Sequence, residues 1–505
     1  MRNPLRRVDT VPAVIVVAVI AACVVQYLAG GPVRGIAFDT DALNIPTVVA
    51  DLVSHHGSLS NWWLSPAPYL YPDALLFVPA HLLGSTAYVR IVTYMALQLA
   101  ALWWALLWTA RRAGHQRPQR FAAVTVAVLA WAGINGTAPF NQLFVAGFHA
   151  GGFIASLFLV GLCIGSAEDH AFTRRAYELG TISALTFMLV LSDSIVLVQT
   201  VAPLVVLLLL MAACGSRRRM RHVWTAGVLA TASAAGHVAY PHFIAHPTRY
   251  PLVLTGEKIS SNFAAVRGLV RGYLGDHTAA LPVLLVFAVV ACVATIRVVR
   301  RLQRNRSVEN LVVWCALSVV TTVAGVGLAT TNEVTIRYFL PVVVLPLVGI
   351  LLVATSPHSV TGGLSVLAAL ACTVAVVSGA VRLTRDNGMQ LSFRPAEITC
   401  IDDAISSIDG RHGIAQYWDA KYVQSLSGLD ITLAQYMDNL LPMRWITTDS
   451  YFTGAYDFAI VTKAPPSPWV LSVDLITAGN GQPLRTVDCP GHLVLLYGHG
   501  KLRIK

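Results

Sequence analysis

The hydrophobic pattern of the chain is dominated by long, predominantly apolar runs near 11–30, 86–109, 121–136, 147–166, 178–191, 195–213, 223–240, 281–299, 310–330, 339–354 and 363–382. Runs of about 17–25 apolar residues have the length that crosses a bilayer core as a helix. The pattern therefore predicts a mostly α polytopic transmembrane bundle of about 11 spans over 1–382, with a long first outer loop at 31–85. The run at 178–191 is short, and its ends are the least well defined. The first run follows Arg2, Arg6 and Arg7 as in a signal peptide. It lacks a small-x-small cleavage site before the loop, so it reads as a retained first helix.

The polar residues between the runs orient the bundle. Arginines cluster at Arg2/Arg6/Arg7, Arg111/Arg112/Arg117/Arg120, Arg174/Arg175, Arg217/Arg218/Arg219/Arg221 and Arg297/Arg300/Arg301/Arg304/Arg306. Every cluster falls at a cytoplasmic end if the N-terminus is inside and the spans alternate. Segments 31–85, 137–146, 192–194, 241–280 and 331–338 then face outward, as does everything after 382.

Residues 383–505 carry a different pattern: short runs such as GIAQYW, YDFAIVTK and HLVLLYG, separated by turn residues such as SGLD, APPSP and AGNGQP. This predicts a small C-terminal α+β domain with helices near 396–408 and 416–426 followed by strands. Cys400 and Cys489 are its only cysteines. On the oxidising side of a membrane they are either a disulfide or two buried thiols.

Composition supports the membrane reading. Of 505 residues, 55% are hydrophobic and 12% charged, with a mean hydropathy of +0.63. The net charge of +11 sits in the arginine clusters, which argues against a nucleic-acid face. The eight cysteines show no zinc-site spacing.

Candidate chemistry concentrates in the first loop. Asp39, Asp41, Asp51 and Asp73 stand there with Trp62 and Trp63 and four prolines from Pro66 to Pro79. An acid held at the water–lipid boundary can act as general base towards a hydroxyl. Asp39 and Asp41 could also join Asp51 around a divalent cation, the one cofactor this loop suggests. Asp39 and Asp41 precede ALNIPTVVADLV, which reads as a helix. One of them is therefore a candidate cap, with Asp41 nearer the helix start and Asp39 favoured as the base. The tryptophans are either interfacial anchors or a stacking platform for sugar or isoprenoid.

Farther on, Glu333, Arg337 and Tyr338 lie at the start of the 339–354 run. An arginine at that depth is costly unless paired. It suits a lipid phosphate, held through two hydrogen bonds, or it snorkels and pairs with Glu333. Asp193 lies in a tight outward turn, where it either caps a span or points towards the same cavity. His149, beside Gly151 and Gly152, reads as a packing residue. An amphipathic helix near 260–273 would present Arg267 and Arg271 to anionic headgroups.

In layout the chain resembles the GT-C glycosyltransferase superfamily of polyprenyl-phosphate-sugar-dependent bacterial membrane enzymes. The features that carry this are a membrane-embedded first span, a long acidic first outer loop, many further spans, the RYFLP stretch and an outer C-terminal domain. The resemblance implies a catalytic acid at Asp39 or Asp41 and a phosphate contact at Arg337. It further implies an inverting transfer to a glycan or lipid-linked acceptor on the periplasmic face of the inner membrane. The C-terminal segment lacks a WWDXG-type motif, since the run from Gln416 to Asp419 reads QYWD; this favours monosaccharide transfer over oligosaccharide transfer to asparagine. Two rival readings are a transporter or lipid flippase, which should carry mid-span acids or broken helices in repeated halves, and a surface-polysaccharide polymerase or ligase with basic residues in a large later loop.

Overall fold

The structure is a computed structural model that describes residues 10–165, 172–214, 219–247, 253–300, 307–330, 333–356, 362–465 and 467–504. Arg2, Arg6, Arg7, Arg217, Arg218, Arg301, Arg304 and Arg306 lie outside the described residues, as does the side chain of Arg174.

A helix stands at each of the eleven places the apolar runs marked. Six described helices are long and apolar enough to cross a membrane: Thr10–Leu28, Ala87–Arg112, Ala280–Arg300, Val308–Ala329, Ile336–Ala354 and Gly362–Asn387. Shorter apolar helices include Pro118–Ile134, Ala150–Gly165 and Leu197–Ala213. The uncertain fifth run belongs to a longer helix, Phe172–Ser192. The last long helix runs past residue 382 to Asn387.

The ends of the first and last long helices are tied together. Asn387 Nδ2 donates to the Ala29 carbonyl at 2.8 Å, and Gln390 N donates to that of Leu28 at 2.9 Å. Inside the bundle, Gln26 Nε2 donates to the Val376 carbonyl. These bonds satisfy polar groups that would otherwise be stranded in an apolar interior.

The first loop is folded throughout. It holds helices Val33–Ala37, Asn44–Ser54 and Leu75–Leu83 and the strand Trp62–Leu64. Asn44–Ser54 realises the helix read from ALNIPTVVADLV. The strand is the centre of a small three-stranded sheet. It pairs in parallel with His246–Pro247 and antiparallel with Thr447–Thr448, with Trp62 opposite Thr448 and Trp63 opposite both Thr447 and His246. Three segments distant in sequence are thereby joined by backbone hydrogen bonds.

The C-terminal segment forms a five-stranded sheet in the order Thr432–Gln435, His412–Ala415, Phe458–Thr462, His492–Leu496, Arg485–Cys489. The first three strands are mutually parallel and the rest antiparallel. The helices Ala396–Ser406 and Tyr417–Leu426 lie where the pattern placed them, but the strand His412–Ala415 falls between them. A parallel neighbour needs a crossover connection, and Tyr417–Leu426 supplies it. Cys400 and Cys489 are bridged, closing a sequence separation of 89.

Candidate functional site

A cavity of about 700 Å³ opens where the first loop, the helix ends and the C-terminal segment meet. Val190, Ile195, Val198 and Val326 make an apolar wall; Asp41, Asn44, His149 and Arg337 bring polar groups to it. Glycine shapes the wall, because a Cβ on Gly325 would stand 2.6 Å from Val198 Cγ1.

The polar end is built on the turn after the first helices. Asp39 accepts a hydrogen bond from the Asp41 backbone N–H at 2.9 Å. Neither acid caps the helix that follows, whose N-cap position is Leu43 with no side-chain cap bond; Asp39 instead closes the turn ahead of it. Burial pushes the Asp39 carboxyl up from its ordinary pKa, the Asp41 charge adds to this, and the Asp41 N–H and Arg337 oppose it. The carboxylate of Asp41 is held from two sides. Arg337 Nη1 donates to its Oδ2 at 2.9 Å, and Tyr417 donates its hydroxyl to Oδ1 at 2.5 Å. Burial and the Asp41 charge raise the Tyr417 hydroxyl well above its usual pKa, so it remains a donor.

Two groups at this end have unused hydrogen-bonding capacity. Arg337 Nε is buried without a partner among the described residues, which leaves the guanidinium a donor to spare beside its pairing with Asp41. Asn44 is 1% exposed and lines the cavity, yet neither its Oδ1 nor its Nδ2 has a partner among the described residues. A buried amide able to both donate and accept suits a ligand hydroxyl. Glu333 is exposed; the carboxylate that pairs with Arg337 is that of Asp41.

A second acid site faces the same cavity. His149 Nδ1 lies 2.8 Å from Asp193 Oδ2, and its Nε2 lies 3.4 Å from the Tyr69 hydroxyl. The His149 ring also stands 5.4 Å from that of Tyr338. A carboxylate on Nδ1 fixes the orientation of the ring and leaves Nε2 towards the Tyr69 hydroxyl. Unusual backbone brings the imidazole there: Gly147, Phe148 and His149 all have positive φ, at 83°, 52° and 66°. Two consecutive non-glycine residues in that region are strained and need external support. Asp73 provides it. Fully buried, it accepts from Gly147 N at 3.0 Å and from the Tyr94 hydroxyl at 2.9 Å. A Cβ on Gly151 would lie 2.2 Å from Asp73 Oδ2 and one on Gly152 3.2 Å from Asp193 Oδ2, so this glycine pair lets both acids approach the helix.

Asp51, Trp62 and Trp63 do other work. Trp62 is fully buried and donates from Nε1 to Asp51 Oδ2 at 2.7 Å. Trp63 stacks on His246 with ring centres 4.4 Å apart and donates to Asp449 Oδ1 at 2.9 Å. None of the three lines the cavity. Among the described residues no group of three or more His, Cys, Asp or Glu is placed to hold a metal ion.

Over 97% of its length the chain matches the crystal structure of ArnT from Cupriavidus metallidurans bound to undecaprenyl phosphate, covering 98% of that chain at 13% identity with a TM-score of 0.55. At that identity the likeness is one of fold. The cryo-EM structure of the arabinofuranosyltransferase AftD from Mycobacteria is also similar over 97% of this chain and 40% of that longer one, at 15% identity and a TM-score of 0.48. No family model and no curated protein matches the sequence.

Several residues in and around the cavity had no distinctive signal in the sequence. Trp445 and Ile446 come from the C-terminal segment, and Ile446 has a φ of 50°, an outlier for a β-branched residue. Tyr417 and Lys421 are four apart on a foreseen helix, which puts them on one face. Nothing in the sequence said that this face meets the first loop.

Proposed function

We propose that the protein is a membrane glycosyltransferase that moves a sugar from a polyprenyl-phosphate-linked donor to a hydroxyl of a glycan or lipid-linked acceptor. The observation that carries this reading is the Asp41–Arg337 pair at the mouth of an apolar cavity, with donors left over on the arginine. A polyprenyl chain suits the apolar wall, and its phosphate suits a partly satisfied guanidinium. The GT-C fold, and the undecaprenyl phosphate held by ArnT, support the same donor class.

The reaction is an in-line displacement. Asp41 takes the proton of the acceptor hydroxyl as the acceptor oxygen bonds to the anomeric carbon. The bond from that carbon to the phosphate oxygen breaks, and its electron pair leaves with the phosphate, where Arg337 meets the charge. The anomeric configuration inverts. Asn44 contacts hydroxyls of the sugar, and His149, fixed by Asp193, lines the leaving-group side with Tyr338. The first loop and residues 383–505 face the periplasm of a bacterial inner membrane, with the N-terminus in the cytoplasm.

The test is sugar transfer by the full chain in liposomes containing a polyprenyl-phosphate sugar. Wild type should transfer with inversion, and the Asp39/Asp41 double asparagine variant should not. Full activity in that variant would overturn the mechanism and leave transport as the better account.

A further inference from the structure

Helix Tyr417–Leu426 lies directly against the 39–41 turn. Thr40 Oγ1 donates to the Trp418 carbonyl at 2.7 Å, next to the bond from Tyr417 to Asp41. Lys421 follows one turn later on the same face, its Nζ 4.8 Å from the centre of the Tyr417 ring. It is 3% exposed, and its ammonium has no hydrogen-bond partner among the described residues. It does not line the cavity. A buried, unpartnered ammonium is costly, and a stabilised fold would sooner carry a methionine there. Burial brings its pKa from the lysine range down to about 7, against the pull of the Asp41 and Asp39 carboxylates.

The charges at this end explain its presence. Asp39 and Asp41 bring two negative charges, and Arg337 brings one positive charge that is already engaged with Asp41. A phosphodiester that draws on Arg337 adds a further negative charge and weakens the pairing of Arg337 with Asp41. A like charge nearby favours the protonated acid, and a protonated Asp41 is no base. A second cation on the side away from the cavity restores the balance. The arriving phosphate also favours the ammonium form of a lysine close by.

We propose that Lys421 is a positioning residue for Asp41: its ammonium, supplied by the C-terminal segment, keeps the Asp41 carboxylate ionised while a phosphate occupies Arg337. This rests on the transferase reading. The charged and titratable groups facing the turn are Arg337 ahead of the Leu340–Ala354 helix, Tyr69 from the first loop, Tyr417 and Lys421 from the C-terminal helix, and Asp39 within the turn itself.

The test compares wild type, Lys421→Met and Lys421→Arg as full-length protein in liposomes, following kcat/KM for transfer against pH. In Lys421→Met the acid limb should move up by about one pH unit, a roughly ten-fold loss on the acid side that recovers at alkaline pH. Lys421→Arg should keep the wild-type limb. An unmoved limb in Lys421→Met overturns the proposal, as does uniform loss at every pH with a lowered unfolding midpoint. A second arm needs no turnover: unfolding midpoints of Lys421→Met, Asp41→Asn and the double variant. Lys421→Met should raise the midpoint more in the Asp41→Asn background than in wild type, because the lysine has there lost the carboxylate that attracts it most. Equal shifts overturn the proposal. If the midpoints couple but wild type transfers no sugar, the transferase reading falls while the Lys421–Asp41 interaction stands.

Discussion

Asp41 and Asp51 lie in one loop, the first just ahead of a short helix and the second in its last turns, and end in opposite situations. Asp51 is 9% exposed and gives its Oδ2 to the indole N–H of Trp62, itself part of an apolar cluster with Val48, Leu64, Tyr240 and Ile244. Its partner is neutral and fully buried, and away from the cavity. Asp41 is held by a cation that lines the cavity and by a phenol, both from segments hundreds of residues away. The difference teaches that an acid's role is set by what its partner can exchange. An indole donor has no alternative ligand, so it locks a carboxylate into the architecture. An arginine with spare donors can turn to an incoming phosphate, so it holds a carboxylate in a site.

The comparison is broken most directly by asparagine at each position. Asp41→Asn should lower transfer by about 10²–10⁴-fold with expression preserved, because the amide keeps the size and loses the basicity. Asp51→Asn keeps an acceptor for Trp62 and should stay within about two-fold of wild-type turnover, since no proton passes through it. Equal losses in the liposome assay would erase the distinction.

Next in size is Arg337→Ala, which should weaken retention of polyprenyl phosphate by about 10–100-fold, the range of a lost charge-assisted hydrogen-bond pair at about 1.5–3 kcal/mol. Lysine at 337 should recover only part of it, because a point charge does not reproduce the guanidinium fork. Binding measured on lipid nanodiscs would decide, and an unchanged affinity would move the phosphate elsewhere.

Trp62→Phe tests the other side of the comparison. It strands a buried carboxylate and should cost about 1–3 kcal/mol of stability, with turnover per folded molecule unchanged. Loss of turnover at an unchanged unfolding midpoint would mean the Asp51–Trp62 pair belongs to the site after all.

The smallest effect concerns Asp39. Its folded-state pKa is raised, so the folded state holds the proton more tightly than the unfolded chain. Its contribution to stability is therefore greatest at low pH and falls as pH rises from about 4 through the folded pKa. Asn at this position still accepts from the Asp41 N–H. The midpoint of Asp39→Asn relative to wild type should thus climb over that window and then level off. A gap that shrinks with rising pH would contradict the cause given for the shift.

Sequence pattern by itself determined the helical bundle, one helix in the first loop and the mixed tail, because apolar periodicity is a local property that burial must respect. It also singled out the acids and Arg337, since charge near a span is conspicuous in so apolar a chain. Which acid does what was decided only by tertiary structure. Asp39 and Asp41 are indistinguishable by type and nearly so by position; a turn two residues long sends one back to the chain and the other to Arg337 and Tyr417. His149 reads as packing until three left-handed residues, braced by Asp73, turn it towards Asp193. Lys421 was hidden most completely. A lysine on a foreseen helix is ordinarily a solvated charge, and only the docking of that helix on the 39–41 turn buries it beside the acids. Contacts of this kind join residues hundreds of positions apart, and no local pattern along the chain encodes the register in which two surfaces meet.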